Sequence, residues 1–195
     1  MKYQLFSYTS GETAKAGVLV DGHWLDLDAA AQVVHETSLV GRSVDDLLGT
    51  WSAAQHGLRQ IAKGVQVDPT VFADAQLKVS DLDLRAPLTR PGVMYCAGAN
   101  YRDHVEAMSK AFNMKLVLDP KAEGVEPWHF LKPGPATVVG DKARVPFPKH
   151  TEKLDWEAEL AVVIGARARN VSVERALDFV AGYTCANDLS ARDNL

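Results

Sequence analysis

The stretch Asp155-Trp156-Glu157-Ala158-Glu159-Leu160-Ala161-Val162-Val163-Ile164-Gly165 decides most of what this chain can be. Two carboxylates open a run that is otherwise apolar and reads as a buried strand. Side chains alternate faces along a strand, so Glu157 and Glu159 point one way while Trp156, Ala158 and Leu160 point the other. Two like charges on one face of such a strand are costly unless something positive lies between them. A divalent cation is the natural candidate, because hard carboxylate oxygens suit Mg²⁺, Mn²⁺ or Ca²⁺ better than zinc. Asp188, one helix-sized stretch further on, is placed to add a third carboxylate. The plainer alternative is a solvated strand end whose glutamates pair with Lys153 or Arg167. Spacing alone favours that alternative, since Glu-x-Glu is common, and an Asp after a strand is more often a turn former.

The rest of the chain sets bounds on this reading. Its 195 residues are 47% hydrophobic and 24% charged, ordinary for a globular protein with a substantial core. A net charge of -4 and no basic run argue against nucleic acid or an anionic membrane as partner. No segment approaches the roughly 20 apolar residues of a membrane span, and no secretory signal is visible. Cys96 and Cys185, without a spacing pattern, read as buried thiols of a reducing compartment. A cytoplasmic location is expected.

Outward from the carboxylates, residues 1 to about 30 read as short strands, with Asp21-Gly22 as a hairpin turn. Helices are expected at 28–36, at 43–49 behind the cap Ser43, and at 51–64. A mixed connector follows to Thr89. Then come a strand at 93–98, a helix from Asp103 to Phe112 and a long polar loop at 113–127. Extended segments are expected at 128–132, 136–139 and 143–147, a helix at 172–180 and a strand at 182–187. Within this series, His104 lies in the first turn of a helix with Glu106 nearby, a pairing that suits a general base. A capping or solvent-facing histidine is the reading that the local sequence alone favours. Lys132, after an apolar strand and before Pro133, suits a carboxylate or enolate, or solvent. No Gly-x-Ser-x-Gly, P-loop or dinucleotide glycine motif is present.

Taken in order, four segments resemble the fumarylacetoacetate hydrolase family. They are Gly98-Ala99-Asn100-Tyr101-Arg102-Asp103-His104, Phe130-Leu131-Lys132-Pro133, Asp155-Trp156-Glu157-Ala158-Glu159-Leu160 and Asn187-Asp188-Leu189-Ser190-Ala191-Arg192-Asp193. The resemblance runs from about Arg90 onward, while residues 1–89 resemble the variable N-terminal domain of bacterial members. It implies an α+β fold with a rolled mixed β-sheet, preceded by a small α+β domain, hence domains at 1–89 and 90–195. It also implies a divalent metal (Mg²⁺, or Mn²⁺ or Ca²⁺) on Glu157, Glu159 and Asp188. His104 and Glu106 become the catalytic candidates, and Lys132, Arg192 and Tyr101 the substrate-binding ones.

The expected enzyme acts on 2-oxo acids or 1,3-diketo acids in the catabolism of aromatic compounds or sugar acids, as a homodimer. Its class would be a metal-dependent hydrolase of C–C bonds in ketonic substances, or an enolate-based isomerase, dehydratase or decarboxylase. Two departures from the family pattern bear on that choice. A glutamate three residues after the histidine is replaced by Ala107, with Glu106 about 100° away around the helix. This favours the non-hydrolytic chemistries. The family's further lysine and its Thr-Gly-Thr-Pro stretch are absent, so the chain reads as truncated at its C-terminus and as folding poorly without a partner. A non-catalytic or truncated homologue serving as a binding or assembly module is the alternative.

Overall fold

A computed structural model describes residues 2–99, 101–113 and 115–194, with Phe112 described by its backbone alone. Asn100, within the first family-like segment, lies outside the described residues. The chain divides into two compact units, one formed by residues 1–89 with 139–195 and one by residues 90–138.

In the first unit, β1 (Gln4–Ser10), β2 (Thr13–Val20) and β3 (His23–Asp26) form an antiparallel sheet in that order. Val20 pairs with His23 across Asp21-Gly22. Both turn residues have positive φ, 46° and 88°, as a two-residue type I′ turn requires. Helices α1 (Leu27–Val33), α2 (Val44–Gly49) and α3 (Trp51–Val67) follow. The Asp26 carboxylate caps α1 by accepting from the Ala29 amide at 2.8 Å. Ser43 caps α2 in a reciprocal box with Asp46. Along α3, Ala54, Leu58, Ile61, Ala62 and Val65 make one buried stripe. That stripe, the inner faces of β2 and β3, and Phe72 from the 3₁₀ turns at Pro69–Ala75 enclose a core whose buried members run from Ala16 to Ala75, with Tyr3, Leu5 and Leu88 packed against it.

The same unit holds β6 (Leu154–Asp155), β7 (Ala158–Ile164), β8 (Val180–Asn187) and β9 (Ser190–Ala191). Strand β6 pairs with β9 and β7 with β8, and every strand pair among the described residues is antiparallel. In the second unit β4 (Met94–Ala97) pairs with β5 (His129–Lys132), and α4 (Arg102–Phe112) lies between them in sequence.

Four expectations are corrected. Residues 172–180 form 3₁₀ turns (Val173–Phe179) rather than a helix, because none of those side chains is buried and no apolar face is available to pack an α-helix. The segments at 136–139 and 143–147 join no strand; Pro135, Pro146 and Pro148 lack the amide a ladder needs. Strand β7 is not buried. Every residue of β7 and β8 is half-buried or exposed, and the outer face carries Trp156 at 69% exposure and Leu160 at 65%. Cys185, across the ladder from Leu160, is therefore exposed and Cys96 half-buried, instead of both being enclosed thiols.

Candidate metal centre

The alternation along β7 places the carboxylates as their spacing predicts. Glu157, Glu159, Ala161 and Val163 form the less exposed face, and Trp156, Ala158, Leu160, Val162 and Ile164 the outer one. Glu159 sits within the β7–β8 ladder opposite Ala186, and Glu157 occupies the break between β6 and β7. There its backbone is held on both sides. The Glu157 amide donates to the Asn187 side-chain oxygen at 3.2 Å, and the Glu157 carbonyl accepts from the Asp188 amide at 2.9 Å. These two bonds dock the turn after β8 onto the start of β7 and carry Asp188 to the glutamates. Asp188 is 7% exposed.

One oxygen from each of Glu157, Glu159 and Asp188 lies within 4.8 Å of the other two. Carboxylate charges at that separation repel by about 3 kcal/mol per pair at an effective dielectric of ~20. The donor set is all hard oxygen, the chemistry that Mg²⁺, Mn²⁺ and Ca²⁺ prefer, with no imidazole or thiolate to draw zinc. The residues present therefore fit an oxygen-seeking divalent cation.

A cation of the chain itself already faces this cluster. The Arg192 guanidinium donates from Nη2 to Glu157 Oε1 at 2.5 Å and from Nε to Asp155 Oδ2 at 2.9 Å. Glu157, and after it Asp155, hold that guanidinium more firmly in its charged form. The Ser190 hydroxyl donates to Glu157 Oε2 at 3.1 Å. Lys153, offered by the sequence as the glutamates' partner, contributes its carbonyl to the Arg192 amide at 2.9 Å. Next along, Asp193 accepts from the Thr151 hydroxyl and the Glu152 amide, which hold its carboxyl below the usual range. Segments 150–157 and 187–194 are thus laced together by side-chain bonds. Sequence reasoning missed Asp155, Asn187 and Ser190 as supports of the cluster. Asp155 had a detectable signal, since it precedes Glu157 by two residues and shares its face.

The remaining candidates belong to the second unit. Tyr101 precedes α4 and is exposed, and His104 is half-buried in the first turn, with its amide bonded to the Asp103 carboxylate at 2.9 Å. Glu106 follows His104 by two residues, about 200° around the helix. It lines an open groove of 420 Å³ with Ser109, Lys110, Lys115, Leu116 and Glu123. Lys132 ends β5 opposite Met94 and is half-buried. No helix among the described residues is long and apolar enough to cross a membrane.

Residues 93–195 match the family described as fumarylacetoacetate (FAA) hydrolase, C-terminal. The chain is 40% identical over 117 residues to the mitochondrial oxaloacetate tautomerase fahd2 of Xenopus laevis, covering 60% of this chain and 33% of the relative. It is 31% identical over 180 residues to the oxaloacetate tautomerase YisK of Bacillus subtilis (strain 168), covering 91% of this chain and 56% of the relative. Among solved structures, a fumarylacetoacetate hydrolase from psychrophilic Exiguobacterium antarcticum superposes with a TM-score of 0.58 at 28% identity. That alignment covers 99% of this chain and 58% of the hydrolase. The chain thus spans between a third and somewhat over half of the length of these relatives. With over half of its residues inside the family match and an α+β fold shared with the solved hydrolase, the chain belongs to the fumarylacetoacetate hydrolase family.

Proposed function

We propose that this chain carries the metal-binding half of an enzyme that interconverts the keto and enol forms of a 2-oxo acid. The observation that supports it most is the all-carboxylate triad Glu157, Glu159 and Asp188, whose oxygens lie within 4.8 Å of one another. These three residues would hold Mg²⁺, Mn²⁺ or Ca²⁺. When bound, such an ion supplies Lewis-acid polarisation of a 2-oxo oxygen. Lys132 and Tyr101 are assigned to the substrate, the lysine by the charge-assisted bond it offers a carboxylate; Arg192, expected beside them, has its Nε and Nη2 committed to Asp155 and Glu157 instead. His104 takes the proton from the carbon beside the carbonyl and delivers it to the carbonyl oxygen, or carries it the other way for the reverse reaction.

Tautomerisation moves one proton from that carbon to the carbonyl oxygen and consumes no water. It therefore needs no carboxylate beside His104 to orient a nucleophile. Ala107 at the expected place, with Glu106 turned about 200° from His104, favours this over C–C hydrolysis. The two relatives named as oxaloacetate tautomerases support the same choice. A division at residue 89, a homodimer, a cytoplasmic location and a place in aromatic or sugar-acid catabolism complete the proposed reading.

Thermal melting with and without Mn²⁺ tests the site. At a hundred times the dissociation constant the ion stabilises a folded protein by about 2.7 kcal/mol. Wild type is expected to gain in melting temperature, and Glu157→Gln and Asp188→Asn to lose the gain. A wild type indifferent to Mg²⁺, Mn²⁺ and Ca²⁺ rejects the reading. Turnover of enol oxaloacetate is expected to fall about a hundredfold to ten-thousandfold in His104→Gln.

A further inference from the structure

We propose that Arg192 is a positioning residue for Glu157: it pins one carboxylate oxygen while Ser190 pins the other, presenting the glutamate to the cation in one fixed orientation. The inference rests on the metal site proposed above and adds the means by which that site is held ready.

Three observations carry it. Both oxygens of Glu157 accept a bond from the chain, Oε1 from Arg192 Nη2 at 2.5 Å and Oε2 from Ser190 Oγ at 3.1 Å. A carboxylate bonded at one oxygen still turns about its terminal torsion, whereas one bonded at both does not. The guanidinium is itself fixed, because its Nε donates to Asp155 at 2.9 Å and its backbone amide donates to the Lys153 carbonyl at 2.9 Å. Finally, both donors come from β9 and the turn after it, whose partner strand β6 ends two residues before Glu157. The β6–β9 pairing therefore sets where the donors stand.

Each oxygen of a carboxylate has two lone-pair sites, so accepting one bond leaves an oxygen able to ligate. Holding a ligand before the ion arrives removes an ordering cost from binding, and loss of such outer contacts weakens metal affinity by about tenfold to a hundredfold. Lysine cannot replace the planar fork that spans Asp155 and Glu157 together.

The test is Mn²⁺ titration of the whole chain by calorimetry, beside its melting temperature in EDTA. Arg192→Gln is expected to weaken Mn²⁺ binding tenfold to a hundredfold, Arg192→Lys to recover only part of that loss, and Ser190→Ala to weaken it severalfold. A merely structural arginine would lower the melting temperature in EDTA and leave the dissociation constant within twofold of wild type; that result, or tighter binding, overturns the proposal. Should Arg192→Gln not fold, Arg192→Lys and Ser190→Ala decide, and wild-type affinity in both overturns it. A wild type that takes up no Mn²⁺ brings down the metal site and this inference together, whereas binding that the variants leave untouched brings down the inference alone.

Discussion

The β1–β2–β3 sheet and the β7–β8 ladder are built from similar residues and end in opposite states. Val18, Val20 and Leu25 of the first are completely buried, sealed by α1 and α3. Leu160, Val162 and Ile164 of the second are about half or more exposed. Apolar content and alternation are alike, so the difference lies in what packs against each face. A strand's inward face is defined by a neighbour, and of these two sheets it is the N-terminal one whose inner face packs against α1 and α3. The open ladder is also the one that carries the carboxylate cluster, which relies on hydrogen bonds and an ion pair rather than apolar burial.

Mutation pairs probe that contrast. Leu58→Ala, in the sealed core, is expected to cost about 2–5 kcal/mol in urea denaturation, and Leu160→Ala on the open face within about 0.5 kcal/mol of nothing. A Leu160→Ala cost approaching that of Leu58→Ala would mean that the ladder's outer face is covered in solution. A smaller contrast comes from glycine. Gly17 lies under the Phe6 ring, and an added Cβ would meet Phe6 Cζ at 2.1 Å, whereas at Gly182 of β8 nothing lies within 4 Å. Gly17→Ala should destabilise by about 1–3 kcal/mol through overpacking, and Gly182→Ala should be neutral or slightly stabilising. Equal effects would erase the distinction.

Titration gives the finest separation, because the two regions respond at opposite ends of the pH scale. Burial, and then its 2.5 Å bond to Asp26, pushes the Tyr8 phenol above its ordinary value. A raised value contributes stability that is complete below about pH 10, the unfolded value, and is lost as pH rises beyond it. Tyr8→Phe should flatten the alkaline limb of the stability profile. Asp193 is shifted the other way, so its contribution is present above about pH 3.9 and is lost as pH falls through its lower folded value. Asp193→Asn should flatten the acid limb and leave the alkaline one unchanged.

Much of this was legible along the chain. Asp21-Gly22 announces its turn because few other dipeptides tolerate two positive φ values, and Ser43 announces α2 because a helix start leaves amides to be capped. Period-two alternation was enough to put Glu157 and Glu159 on one face. What misled was apolar content read as burial, at β7 and at Cys185, and a helical pattern at 172–180 with nothing to pack it. Local chemistry has a short range, and burial does not.

The carboxylate cluster divides along the same line. Residue type and spacing determined its donors and the kind of cation they suit, because those depend on oxygen chemistry and on the pleat. The tertiary structure alone decided which cation of the chain faces them. Lys153 and Arg167 were nearest in sequence, yet Arg192, thirty-five positions from Glu157, makes the bond. It does so because the turn after β8 docks onto the break between β6 and β7, and only the folded chain brings those two segments to hydrogen-bonding distance.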